Sequence, residues 1–443
     1  MSLTMTHYPE TFETSRRLYE RACKVMPGGN TRTTVYINPF PIYVTRGEGC
    51  RVWDVDGQVF YDCINNFTAM IHGYTQPEMN AAVTDQLALG TAFGAPTLSE
   101  IELAELLIER LPAMDQIRFA NSGTEGVMMA IKAARAYTNR PKIVKIEGAY
   151  HGSYDFAEVS LDSSPSNWGD MPASTAYAKG TPEGVLNDVL VVPFNDVEAL
   201  KAVFAAHGET IAGVLIDPMP NRAGLIPARK DYLEALVEIA HGAGALVIFD
   251  EVISFRLGYS GAQGLWGIRP DLTALGKIIG GGFPVGAVAG RADVMAVFDP
   301  SRGKPALPHG GTFTANPVTM RAGLAAMRAL TPEAFAHLDA LGEFLRNGVN
   351  AALEKVGLPG RCVGLGSLFK VHFTSGPITD YRSVYPGPVE KKRLDAFHKG
   401  LLNRGVLSAS YGLFALSTPM TMEDAGNILQ AIEDTLAEIA AAG

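Results

Sequence analysis

The sequence predicts an α/β protein built on a mostly parallel sheet covered by helices on both faces. Three observations carry this. Runs of strand length fall at Gln116–Ala120, Lys142–Ile146, Val189–Phe194, Gly213–Asp217 and Ala245–Phe249. Segments of helix length, such as Asp231–His241, separate them, and such alternation brings strands back side by side through right-handed crossovers. The run Ala245–Phe249 is apolar at every position, as befits a strand buried on both faces.

Each element follows from local pattern. Met1–Thr4, ahead of Met5, reads as an appended remnant. From Tyr8 to Met26 the spacing of Phe12, Leu18, Tyr19, Ala22 and Val25 predicts a helix, which Pro27–Gly29 ends. Val52–Asp62 reads as a hairpin about Asp56-Gly57. Ser99–Leu111 is a helix, and the strand Gln116–Ala120 leads into Asn121–Gly126. There Asn121, Ser122 and Thr124 precede the periodic residues Met128, Ile131, Ala134 and Tyr137, which marks a helix start. A further amphipathic helix after Ala315 runs through Met320, Leu324 and Met327, and Ser367–Phe373 is a late strand. With 443 residues the chain exceeds one ordinary core. Two domains are expected: a large one over 69–330, and a smaller α+β one from 1–68 with 331–443.

Composition excludes several classes. The formal charge of −9 argues against nucleic acid or an anionic membrane as partner. No apolar run approaches the roughly 20 residues needed to span a bilayer, and no signal-peptide core is visible. Cys23, Cys50, Cys63 and Cys362 show no CxxC spacing and read as reduced thiols of a cytoplasmic protein. Prolines and glycines are spread along the chain, so no low-complexity linker or repeat is expected. A nicotinamide dehydrogenase would need a glycine fingerprint. Gly364 and Gly366 do not make one, because Phe369 stands where the third glycine would be.

The chemistry concentrates between Gly242 and Gly290. One apolar run ends in Asp250 and Glu251, and a second delivers Lys277 into a glycine-rich turn. Taken alone, such an Asp is most often a cap and such a Lys a solvated turn residue. Together, at strand ends where α/β proteins bind ligands, they point to pyridoxal 5'-phosphate (PLP). A desolvated lysine amine can form a Schiff base with a carbonyl, and a carboxylate keeps a pyridine nitrogen protonated. The helix start at Ser122, Gly123 and Thr124 offers backbone N–H groups to an anion.

Asn121–Gly126 (NSGTEG), Ala149–Gly152 (AYHG), Ile248–Val252 (IFDEV), Leu275–Ala287 (LGKIIGGGFPVGA) and Gly311–Pro317 (GTFTANP) stand in one order along the chain. On them the sequence resembles the class III PLP-dependent aminotransferases of fold type I. The glutamate-1-semialdehyde aminomutases and β-amino-acid aminotransferases are the nearest branches. The resemblance covers about residues 20 to 435. It implies that Lys277 carries PLP, Asp250 faces the ring nitrogen, and Ser122, Gly123 and Thr124 hold the phosphate. It also implies that Tyr150, beside His151, stacks on the ring with Val252 on the other face. Thr312 would reach the phosphate of a neighbouring subunit, making the enzyme a homodimer with shared sites. Gly126 replaces the usual Ala after the Glu, a mild departure.

An amino-acid substrate needs a fixed cation for its carboxylate. The resemblance places Arg32 there, with Arg222 a second candidate. Phe67 stands where an aminomutase would have Trp, Asn221-Arg222 replaces Gly-Asn, and Asp217-Pro218 replaces Glu-Pro. Ser408–Ser417 lacks the aminomutases' Glu motif. It lacks also the Arg that some β-amino-acid aminotransferases carry near the position of Tyr411. Tyr36, Phe67 and Tyr411 could make the pocket aromatic, though each also fits plain packing. The expectation is transfer from a carboxylate-bearing, possibly β-amino, or aromatic amine to a keto acid. The alternative is a mutase keeping both half-reactions on one molecule.

Overall fold

A computed structural model describes residues 5–442; the stretch Met1–Thr4, read above as an appended remnant, lies outside the described residues. Three sheets organise the chain. In order, the strands are β1 (Val44–Glu48), β2 (Arg51–Asp54), β3 (Val59–Asp62), β4 (Gln116–Ala120), β5 (Lys142–Ile146), β6 (Val189–Val192) and β7 (Ile211–Ile216). They continue with β8 (Leu246–Asp250), β9 (Leu272–Gly276), β10 (Gly286–Gly290), β11 (Arg361–Leu365), β12 (Leu368–His372), β13 (Val406–Leu407) and β14 (Leu413–Ala415).

The central sheet has the order β4-β10-β9-β8-β7-β5-β6. It is α/β and mostly parallel, as expected, except that β10 runs antiparallel to both neighbours. The exception has a physical reason. Only the segment 277–285 separates β9 from β10, and a parallel return needs a crossover of about a dozen residues or more. Side chains alternate across this sheet. Leu215 and Ile248 pack with Val127 and Ala130 of the helix Gly123–Thr138, while Val214, Val247 and Phe249 pack with Leu233 and Leu236 of the helix Lys230–Gly242.

The remaining sheets are β1-β2-β3-β13 and β11-β12-β14. In the first, β13 from late in the chain pairs in parallel with β3 from its beginning. The largest apolar cluster joins Leu103, Ile278 and Met320 to Phe369, Phe414 and Ile432, so the helices flanking the central sheet and the later strands share one core. The first helix is shorter than the periodicity predicts, Glu13–Ala22, because the chain before Phe12 turns to pack Tyr8 against Phe12 and Phe40. No helix among the described residues is long and apolar enough to cross a membrane.

Candidate active site

Strands that run the same way present the same end to the same edge. The ends of β4, β5, β7, β8 and β9 and the residues just after them supply Ser122, His151, Asp217, Asp250 and Lys277 to one cleft of about 360 Å³. Register fixes the spacing: Asp250 pairs with Ala274, and Gly286 lies opposite both Ala120 and Gly276. Asp250 therefore ends its strand beside the one that leads into Lys277.

Asp250 is buried, and each of its oxygens has one partner. Its Oδ2 lies 2.7 Å from His151 Nδ1, and its Oδ1 accepts from the Val252 amide at 2.9 Å. An ionised carboxylate only accepts, so the His151 proton sits on Nδ1. His151 Nε2 is buried with no partner among the described residues, and burial lowers the imidazole pKa even against the pull of Asp250. Asp217, also buried, accepts from the Met219 amide at 2.9 Å. Burial first, then the charge of Asp250, raises its pKa.

Lys277 follows β9 with φ +51°, a left-handed conformation uncommon outside glycine and a form of strain found at functional positions. Enclosure in the protein lowers its ammonium pKa to about 8, although Asp250 and Asp217 pull upward. The amine is then far more readily neutral near pH 7 than that of an ordinary lysine.

Ser122 caps the helix Gly123–Thr138, its hydroxyl accepting from the Glu125 amide at 3.2 Å. Glu125 in turn accepts from the Asn121 amide at 2.7 Å. The amides of Gly123 and Thr124 donate to no acceptor among the described residues, so the positive end of the helix opens into the cleft. A Cβ on Gly123 would stand 2.8 Å from Val252, which itself lines the cleft. Tyr150 rises over the cleft half-exposed.

Arg32 lines the same cleft and donates to Asn66 Oδ1 at 2.7 Å, with its guanidinium 5.7 Å from the centre of the Phe67 ring. Phe67 thus lies beneath Arg32 and is not among the residues lining the cleft. Asn65, Asn66, Phe67 and Thr68 all have positive φ, between 47° and 75°. Left-handed helical backbone costs about 1–2 kcal/mol per non-glycine residue, so this turn persists only because its surroundings impose it. The other substrate candidate, Arg222, donates to Asp162 at 2.8 Å and lies outside the cleft lining. Thr312 lines a separate cavity of about 270 Å³ with Phe93, Thr97 and Pro317, and is exposed in the single chain.

Sequence reasoning left several cleft residues unassigned, the polar Asp217 and Asn66 among them. Asp217 had a signal, an acidic residue closing an apolar strand run. Asn66 had none, since its partner Arg32 is distant in sequence and only the left-handed turn brings them together.

The comparisons with known proteins agree with this geometry. A sequence model of the family described as "Aminotransferase class-III" matches residues 34–436. The β-phenylalanine transaminase of Variovorax paradoxus is 40% identical over 419 residues, covering 94% of this chain and 91% of that protein. The glutamate-1-semialdehyde 2,1-aminomutase of Bacillus subtilis is 38% identical over 436 residues, covering 97% of this chain and 99% of the relative. An omega-transaminase structure from Sphaerobacter thermophilus superposes with a TM-score of 0.94 at 51% identity, covering 96% of this chain and 98% of that one. The chain belongs to the class III aminotransferases. It is a PLP-dependent enzyme that takes an amino donor and a keto acceptor.

Proposed function

We propose that this aminotransferase draws its amino group from a carboxylate-bearing amine, with an aromatic β-amino acid fitting best, and passes it to a keto acid. The observation that carries the reading is the presence, in one cleft, of the Lys277 amine beside Asp250 and of the Arg32 guanidinium. The transaminase names of the Variovorax and Sphaerobacter relatives support it.

The residues present suit PLP. The free amides of Gly123 and Thr124, with the hydroxyls of Ser122 and Thr124, would hold its phosphate. Asp250, fixed by His151, would keep the pyridine nitrogen protonated, and Tyr150 and Val252 would flank the ring. When bound, the cofactor supplies an electron sink for the charge left as a proton leaves the substrate carbon. Lys277 Nζ would tether the cofactor and, as a free amine, would move the proton at that carbon. Its depressed pKa suits both tasks. Arg32 would fix the substrate carboxylate, and Phe67 would support Arg32 from below. Arg222 remains a second candidate anchor, to be reached if its pairing with Asp162 opens.

The working form in this proposal is a cytoplasmic homodimer. Leu87, Leu89, Phe93, Leu98, Ile101 and Phe313 are all exposed in the single chain, and Phe93 lines the Thr312 cavity. A second copy seated there would bury them and bring Thr312 to its phosphate. The same reading divides the chain into a large domain, 69–330, and a small one from 1–68 and 331–443. The pairing of β13 with β3 supports joining the two ends.

Two donors test the substrate. 3-Amino-3-phenylpropanoate and 1-phenylethylamine differ by one carboxylate, and each is to be run against pyruvate and 2-oxoglutarate. Lys277→Ala should abolish turnover of both. Arg32→Ala should raise KM for the acid about tenfold or more and leave 1-phenylethylamine little changed, since a charged hydrogen bond contributes about 1.5–3 kcal/mol. Equal loss with both donors would remove Arg32 as the anchor, and a selective loss in Arg222→Ala would move it there. The Bacillus relative's name favours the mutase alternative. Conversion of glutamate 1-semialdehyde to 5-aminolevulinate without an external acceptor would establish it.

A further inference from the structure

Arg256 is among the largest fully buried side chains of the protein, at 1% exposure. No carboxylate pairs with it among the described residues. Its guanidinium instead donates to Ser367 Oγ from Nε at 2.9 Å, to the Thr68 carbonyl from Nη1 at 2.8 Å, and to the Leu416 carbonyl from Nη2. Burying an unpaired cation is costly, so the arrangement calls for a reason. Its location suggests one. Arg256 sits in the short turn Ser254–Leu257 that follows the strand carrying Asp250, and Thr68 closes the left-handed turn whose Asn66 and Phe67 hold Arg32.

Resting on the reading of Arg32 above, we propose that Arg256 is a positioning residue for substrate recognition. Its three-way donation fixes the turn Asn65–Thr68, and through that turn the Arg32 anchor, relative to the Asp250 and Lys277 side of the cleft. Its own backbone closes the turn, the Thr68 amide donating to the Ile64 carbonyl at 2.9 Å and the Ala69 and Met70 amides to the Asn65 carbonyl at 2.8 and 2.9 Å, and its other side-chain bonds lie at its start. Asp62 Oδ1 accepts from the Ile64 and Asn65 amides at 2.8 and 2.9 Å, and Asn65 donates to the Ala415 carbonyl at 2.6 Å. At its far end the Thr68 hydroxyl is buried without a partner among the described residues, which leaves Arg256 on the Thr68 carbonyl as the side-chain restraint there. A guanidinium suits this task because its planar fork reaches three acceptors in fixed directions. Positive backbone angles at non-glycine residues relax when such restraints are lost, and Asn66 and Phe67 would then leave Arg32.

The test uses the PLP-loaded enzyme and the same two amines. Arg256→Lys keeps the charge and the stem but loses the fork. It should raise KM for 3-amino-3-phenylpropanoate about tenfold, with kcat near that of the parent and 1-phenylethylamine little affected. Combined with Arg32→Ala it should add nothing further, because both changes act on one contact. A purely structural tie would instead change both amines alike or add fully to Arg32→Ala, and either result overturns the proposal. Should Arg256→Lys fail to fold, Ser367→Ala removes the Nε acceptor alone and should shift the KM ratio the same way by a smaller factor. An unchanged ratio in folded Ser367→Ala would also overturn it. If Arg32→Ala is itself unselective, the anchor assignment fails. If Arg32→Ala is selective and Arg256→Lys is not, only the positioning role fails.

Discussion

Burial acts on single ionisable residues in two opposite ways in this protein. At Lys277 it lowers the ammonium pKa to about 8, which suits the role proposed for that amine. At His398 it is only a cost. This imidazole lies in the helix Pro388–Asn403, is buried, and has no partner for either ring nitrogen among the described residues. Burial pushes its pKa down to about 4. The folded protein therefore keeps His398 neutral, whereas the unfolded chain protonates it near its ordinary pKa of about 6.5. Its contribution to stability is complete above about pH 6.5 and is lost as pH falls toward 4, at up to about 1.4 kcal/mol per pH unit. His398→Leu should flatten that acid limb. The check is the urea midpoint at pH 7 and at pH 5, and an unchanged pH dependence would show that other groups set it.

Elements meet at this site with almost no spare room. The helix that begins at Gly123 starts directly over β10, where Gly286 faces Ser122: a Cβ on Gly286 would fall 1.8 Å from the Ser122 carbonyl oxygen. That oxygen belongs to the helix cap and accepts from the Gly126 amide, so it cannot move without disturbing the helix start. Gly286→Ala should therefore cost stability of the order of 1–3 kcal/mol from overpacking, and PLP affinity in addition. Thermal unfolding and cofactor titration measure the two separately. Parent values for both would mean that β10 shifts freely under the helix.

For the whole molecule, the decisive question is whether Thr312 serves the cleft of a second copy. It lies outside the Lys277 cleft of its own chain, beside exposed Phe93 and Phe313. If a second copy covers that face, Thr312→Ala should weaken PLP retention although its own cleft is untouched. The loss of one hydrogen bond to a charged acceptor corresponds to about 1.5–3 kcal/mol. Dialysis of the loaded variant reads the retention, and sedimentation reads the assembly. A monomer with full activity would rule out the shared site.

The sequence by itself determined the pieces whose physics is local. Strand-length runs marked β4 to β8, most plainly β7 and β8, where burial on both faces leaves little choice of residue, and small capping residues marked the helix start at Ser122. Asp250 and Lys277 were legible for the same reason: each closes a recognisable run, and a parallel sheet puts such ends together. Other features depend on residues far apart in the chain, and only the tertiary structure decided them. The reversal of β10 comes from a connection too short to cross over. Placing Phe67 beneath Arg32, and pairing Arg222 with Asp162, required a left-handed turn and a packed neighbour that no periodicity announces. Arg256 shows the limit most plainly. In the sequence it is one arginine after a strand, and its three acceptors lie in segments that only folding brings around it.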